Sequence, residues 1–423
     1  MKKFFKIKCF LLVFIIILAS CNLSTSQIND EDIILPKLTE QEKNDIDSKD
    51  FIFYDGELFI NLLNNFYKIE GDRFALIYKD FYALKEINGT IYGIKKGGNK
   101  YYSDSVQVIP DESLYNDSFA KIKPDGSEYE ELVKLNGGYS DYYYNESENK
   151  FYINYFNFNT PIYLLEYDLK TKEYSKKENV KIEGFELKHY ENHIYYIVSN
   201  DEYDYNLYKI DYDGKIQLLC ENLILNHQLE NSEYIIKNDM IYYISLYSED
   251  ETFYNYSLNK MNINGTGKEI VAKLRSCTQL QSYGDWVYIW GYDLELFQLD
   301  YFVKKINLIT EQEEIMDVPT DDISYSSFAY GYYYYQKYIK KSSPHGETDF
   351  KKLYFYDIEN KIENVIKFKN EIYEEIFYDG YIYITLKIPD EPVVKNKVIN
   401  KYRYEVYKVK VGSNNIVKMN FVE

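Results

Sequence analysis

Apolar and aromatic residues in this chain fall in short runs, each closed by Asn, Asp or Gly. Ile194-Tyr195-Tyr196-Ile197-Val198 follows Asn192-His193, and Leu207-Tyr208-Lys209-Ile210-Asp211 runs into Tyr212-Asp213-Gly214. Runs of this length without a 3.6-residue period predict strands, and the polar pairs between them predict tight reversals. The two-part phrase recurs. Its first half returns at Asp55-Gly56-Glu57-Leu58, Asn88-Gly89-Thr90-Ile91, Asn149-Lys150-Phe151-Tyr152, Asn238-Asp239-Met240-Ile241, Asp285-Trp286-Val287-Tyr288, Gly331-Tyr332-Tyr333 and Asp379-Gly380-Tyr381-Ile382. The second half follows each time, as at Lys68-Ile69, Lys121-Ile122, Lys260-Met261, Lys305-Ile306 and Lys408-Val409. Eight copies at a mean spacing of about 46 residues match the period of propeller blades.

Each copy divides into four strands. In the fifth these are Tyr234 to Ile236, Ile241 to Ile244, Leu258 to Asn262 and Glu269 to Val271. Strand cores that are apolar throughout, rather than alternating, imply sheets covered on both faces, as a blade is by its neighbours. The expected fold is therefore all-β, a β-propeller of four-stranded antiparallel blades from Phe51 to Glu423. Eight blades are preferred. The alternative is seven, with the short first copy (Leu58 to Lys68) completing the last blade. The apolar-Tyr-Tyr strand and the Leu-Tyr-Lys-Ile-Asp-x-Asp-Gly phrase resemble the blades of YWTD-type propellers, grouped with low-density-lipoprotein-receptor-like domains. No copy carries the Tyr-Trp-Thr-Asp tetrapeptide itself, and Tyr288-Ile289-Trp290-Gly291 is only an echo of it.

The N-terminus is patterned differently. Lys2, Lys3, Lys6 and Lys8 precede an apolar run from Phe10 to Leu18, too short to span a bilayer comfortably. Leu18-Ala19-Ser20-Cys21 then resembles the lipobox of bacterial lipoproteins. That resemblance implies removal of residues 1–20, acylation (palmitate included) of Cys21, and a place in the cell envelope outside the cytoplasm. Multiple acyl chains would anchor the protein stably. Residues 21–50 read as a polar tether of about 30 Å. Membrane contact is expected through this anchor alone.

The formal charge is −19, and −23 once the signal lysines leave. A body this acidic should repel nucleic acid and anionic headgroups, which excludes nucleic acid as a partner. Of four cysteines, Cys9 lies in the signal and Cys21 at the anchor. Cys220 and Cys277 fall at different repeat positions and are expected as thiols.

Function is less legible. The gap between the two phrases varies from 10 to 30 residues, while the gap between repeats stays at 23 to 32. Length variation confined to the connections between second and third strands points to one loop-rich binding face. Candidate binding residues there are Tyr101, Tyr102, Tyr115, Tyr254, Tyr256, Tyr338, Lys340 and Lys341, since Tyr among charges suits an adaptable interface. His189 and His193, four apart on an expected strand, would stand about 13 Å from each other, too far to share a metal. Asp211-x-Asp213-Gly214 reads as a turn rather than a calcium loop. Trp286 and Trp290 are expected in the inter-blade core. No nucleophile elbow, Walker loop or dinucleotide fingerprint is present, so no cofactor is expected. The expectation is a non-enzymatic binding scaffold for an unidentified protein, peptide or glycan. The alternatives are a glycan- or peptide-processing enzyme using channel carboxylates, and an envelope assembly factor.

Overall fold

The computed structural model describes residues 48–97, 116–156, 161–199, 205–223, 234–247, 255–274, 277, 279–295, 298–320, 323–339, 347–389 and 402–422. Among these residues every regular element is a strand. The strands group into eight consecutive antiparallel units of four strands, the seventh with a further short strand, Glu347–Thr348, paired to its second. Unit 1 comprises Phe51–Tyr54, Glu57–Leu62, Asn65–Glu70 and Arg73–Tyr78, so the short first copy forms four strands of its own. Units 2 to 7 span 81–134, 138–182, 185–223, 234–274, 279–315 and 323–367. Unit 8 comprises Glu371–Tyr378, Tyr381–Pro389, Tyr402–Lys410 and Ile416–Val422.

Hairpin chemistry explains the meander. The first reversal of unit 1 has Asp55 at φ 50° and Gly56 at φ 77°, and the same left-handed pair recurs at Asn88-Gly89 and Asp379-Gly380. Two successive positive φ values match the right-handed twist of the strands they join. The Asp211-to-Lys215 reversal is likewise a turn: the Asp211 carboxylate accepts from the amides of Asp213 and Lys215.

Eight apolar clusters cement the units, one at each junction. Phe59 and Phe66 meet Phe81 and Ile91 between units 1 and 2, and Phe119 meets Phe151 between 2 and 3. Leu164 packs with Ile194, Tyr195 with Tyr243, Leu258 with Val287, Trp290 with Tyr333, and Phe355 with Ile382. The last cluster brings Tyr383 of unit 8 onto Phe74 of unit 1, and the fourth strands of these two units pair in parallel, Phe421 opposite Phe74. Units packed face to face in order, with the last returning to the first, make a β-propeller. Each buried aromatic or aliphatic side chain contributes about 1.5–3 kcal/mol of transfer free energy.

The repeat residues serve this frame. The lysine of the second phrase lies on the third strand and reaches a glutamate on the fourth, as in Lys121–Glu130 (2.7 Å) and Lys305–Glu314 (3.0 Å). Such exposed pairs are worth little individually and mainly cover the sheet. Trp290 is buried between units 6 and 7, as expected, and Trp286, on the same second strand of unit 6, packs against that cluster. Cys220 and Cys277 are thiols, Cys220 buried and Cys277 half-buried.

Candidate functional site

The first strand of each unit is its inner strand, and those of units 3 to 6 line a cavity of about 980 Å³. Its walls come from Gly138–Asn145 of unit 3, Phe185–Tyr190 of unit 4, Tyr234–Lys237 of unit 5 and Gln279–Tyr283 of unit 6, with Lys49 entering from the segment before unit 1. A second cavity of about 530 Å³ opens beside it, lined by Lys85, Tyr142 to Ser147 and again Lys49. Lys49 is held in place by its neighbours: the Ser48 amide donates to the Phe377 carbonyl, and the Asn61 amide donates to the Asp50 carbonyl.

A backbone irregularity places charge in this channel. In units 2, 3, 4, 7 and 8 the inner strand carries one residue more than its partner at one step of the ladder. In unit 3, Tyr139 pairs with Tyr155 and Asp141 with Asn154, leaving Ser140 extra. In unit 8, Ile372 pairs with Leu386 and Glu374 with Thr385, leaving Tyr373 extra. A bulge re-aims the side chains around it and tightens the local twist. The residues that resume pairing in units 2, 3, 4 and 8 are Lys85, Asp141, Lys188 and Glu374.

The carboxylates form one electrostatic neighbourhood. Asp50 accepts hydrogen bonds from the hydroxyls of Ser48 (2.8 Å) and Tyr82 (2.8 Å). Glu374 stands on the first strand of unit 8, and burial, followed by the charge of Asp50, holds its carboxyl above the usual range. Burial raises Asp141 as well, partly offset by the Tyr142 amide and by Lys49. Tyr142 is pushed up to about 12 by burial, then by Asp141 and Asp50. Its hydroxyl donates to the Leu84 carbonyl at 2.6 Å. Placing several like charges in a partly desolvated channel costs stability, and such costs concentrate at functional sites.

His189 faces these groups from unit 4. Its ring stacks on Tyr143 with centroids 5.7 Å apart, Nδ1 lies 3.2 Å from the Tyr212 hydroxyl, and Nε2 lies 2.7 Å from the Asn154 amide nitrogen. As an amide nitrogen only donates, Nε2 accepts and Nδ1 carries the proton. Burial, aided by the charge of Lys49, keeps the ring neutral by lowering its pKa far below the imidazole range. His193 lies across the hairpin, paired with Tyr190, so the two histidines occupy different strands and the 13 Å argument along one strand does not apply. Among the described residues no three metal-ligating side chains converge.

Of the residues expected on the loop-rich face, Tyr256 lies on Asn255–Asn262, half-buried against the cluster between units 5 and 6. Tyr338 lies on the strand Tyr332–Ile339, its backbone paired with Thr348. Tyr101, Tyr102, Tyr115, Tyr254, Lys340, Lys341 and Cys21 lie outside the described residues. Tyr142, Tyr143 and Tyr144 line the cavities. Asp141, Asn154 and Glu374 were not singled out by the sequence. Only the bulges distinguish them from other acidic and amide residues, and a bulge leaves no local motif.

No family model and no curated protein matches the chain. Among solved structures, it is similar to the β-propeller domain of the Trilobed protease from Pyrococcus furiosus (11% identity, TM-score 0.43, 79% of this chain and 95% of that one). It is also similar to a structure of prolyl endopeptidases (8%, 0.44, 79% and 48%) and to puromycin hydrolase (8%, 0.44, 79% and 52%). The chain thus spans about half the length of these last two. The comparison corrects one expectation: that the chain is not an enzyme does not stand, since propellers similar to this one form part of a protease, of prolyl endopeptidases and of puromycin hydrolase. Lack of a sequence motif was a poor reason to exclude catalysis, because active-site groups can come from separate strands brought together only by the fold. At this identity the likeness concerns the fold, and none of those activities is carried over.

Proposed function

We propose that this chain is a lipid-anchored propeller outside the cytoplasm, and that it binds a polar ligand, a peptide or glycan segment, in its central channel. The observation that carries this reading is the 980 Å³ cavity walled by Asp141, Glu186, Lys188, His189 and tyrosines from successive inner strands. Cavities of this size with a few convergent polar groups are the usual form of ligand sites. The channel replaces the loop face as the centre of the proposal because its residues meet in one place. The anchor rests on Leu18-Ala19-Ser20-Cys21 alone. Membrane fractionation of the full-length chain against Cys21→Ala tests it: the variant should leave the membrane fraction, and retention there would refute lipidation at Cys21. A thermal-shift screen of peptides and oligosaccharides tests the ligand reading. A hit should raise the melting temperature in proportion to the logarithm of concentration, and the absence of any stabilising peptide or sugar would refute it.

A second reading has its own observation. Asp141 and Glu374 both hold their protons to higher pH than an ordinary carboxyl, a property suited to general acid catalysis on a bound glycan or peptide. Turnover of a screened ligand, abolished in Asp141→Asn or Glu374→Gln, would select this reading. Stoichiometric binding without product would select the first.

A further inference from the structure

We propose that the cavity takes a peptide through an apolar side chain of the size of Phe or Leu, and that Phe185 is the residue that selects it. The inference rests on the cavity being the binding site, as proposed above, and names the class of ligand.

The inner strand of unit 4 is shaped to present this ring. Phe185 pairs with Ile197 and Lys188 with Tyr195, so Glu186 and Leu187 together oppose Tyr196. Glu186 has φ 52°. Among the described residues, the other non-glycine residues of positive φ lie in reversals or connections, and Glu186 alone stands within a strand. Such a residue is strained, and the strain persists only where the surroundings fix it. Unit 5 does so. The hydroxyl of the wholly buried Tyr234 donates to the Glu186 carbonyl at 2.8 Å, and the Lys188 ammonium donates to the Tyr234 carbonyl. Gly184 leads into the bulge, and a Cβ there would clash with the Ile197 carbonyl.

The outcome is an aromatic ring in the cavity wall instead of the core. Phe185 lines the cavity with 39% of its surface open. Its ring meets Tyr205 edge-on, with centroids 6.0 Å apart, and it belongs to none of the eight apolar clusters. Leu187, Ile235, Ile236 and Leu280 add aliphatic lining from units 4 to 6. An open apolar surface on a strained strand gives the fold little and suits a contact with a partner.

The rest of the lining selects a peptide. Asp141 and Glu186 stand against Lys49 and Lys188, two of each sign, so charge favours neither an anion nor a cation. Sugar hydroxyls set against isoleucine and leucine would lose their hydrogen bonds. A fatty chain would meet Ser140, Asp141 and Tyr142 from unit 3. The inner strands Gly138–Asn145 and Phe185–Tyr190 each pair in the ladder on one side only, which leaves alternate backbone N–H and C=O groups toward the channel. Peptide groups match such an edge.

The test is calorimetric titration of the full-length protein with blocked peptides Gly-Gly-X-Gly-Gly, where X is Phe, Leu, Ser or Gly. The Phe and Leu peptides should bind, with the Ser and Gly peptides about tenfold weaker. Phe185→Ala should weaken the Phe peptide about tenfold with a melting temperature within about 2 °C of wild type. Phe185→Leu, which keeps an apolar side chain, should retain most of the affinity. Equal binding of the Phe and Ser peptides, undiminished affinity in folded Phe185→Ala, or no binding of the Phe and Leu peptides at millimolar concentration would each overturn the proposal. The Ser140→Trp variant, which fills the cavity, separates the two readings. If it abolishes binding of a polar hit from the screen while the Phe and Leu peptides never bind, the channel stands and the apolar peptide falls. If the Phe peptide binds it undiminished, the channel itself falls.

Discussion

Asp141 illustrates what a single residue reveals here. Its carboxyl is raised in the folded protein, so between the ordinary aspartate range and its raised value the native state binds more protons than the unfolded chain. Stability therefore falls as pH rises through that window and stays lower above it. Asp141→Asn removes the cost. We expect its melting temperature at pH 7 to exceed wild type by about 2 °C, the gap closing below about pH 4. Thermal unfolding across pH measures this, and a destabilised variant at pH 7 would contradict it. A stabilising substitution that weakens ligand binding is the usual mark of a functional residue. The sequence could not nominate Asp141, because it is one of 68 acidic residues with nothing unusual on either side. What distinguishes it is the bulge at Ser140, which sets it opposite Asn154.

At the scale of the element, turns were legible and bulges were not. Asp55-Gly56 and Asn88-Gly89 need two left-handed residues, and only a few residue types adopt that backbone readily, so the sequence betrays them. Gly89 also lies close to another side chain: a Cβ there would meet the Tyr54 hydroxyl at 3.0 Å. Gly89→Ala should cost about 1 kcal/mol in denaturant unfolding, and an unchanged midpoint would mean that the hairpin tolerates another turn type. A bulge, by contrast, makes no such demand on composition. The extra residue is Ser140 in unit 3 and Tyr373 in unit 8. The strands of the fifth copy stand where the pattern places them but run longer, Ile241 to Ile244 extending to Met240–Tyr247 and Glu269 to Val271 to Glu269–Leu274. The tyrosines of unit 3 stand on Gly138–Asn145, and only the inward position of that strand makes them a wall.

For the whole molecule the repeat count carried the architecture, and closure did not show in it. The ring is joined where Ile416–Val422 pairs in parallel with Arg73–Tyr78 and where Phe74 packs against Tyr383 and Phe421. Nothing local distinguishes that last strand from the fourth strands of other units. Phe74 is fully buried, so Phe74→Ala should cost about 3–5 kcal/mol. Because all junctions depend on one closed circuit, a single cooperative transition is expected to move to lower denaturant without splitting. A separate early transition would mean that units 1 and 8 unfold apart from the rest.

The central claim is that ligand enters the channel between the inner strands. Ser140 is the extra residue of its bulge, exposed in the cavity and outside the ladder pairing, so a larger side chain there fills space without breaking a strand pair. The decisive measurement is calorimetric titration of a screened ligand into wild type and Ser140→Trp, with melting temperatures taken in parallel. We expect binding to fall at least tenfold in the variant while its melting temperature stays within about 2 °C of wild type. Equal affinity in a folded Ser140→Trp protein would place the ligand elsewhere and contradict the account.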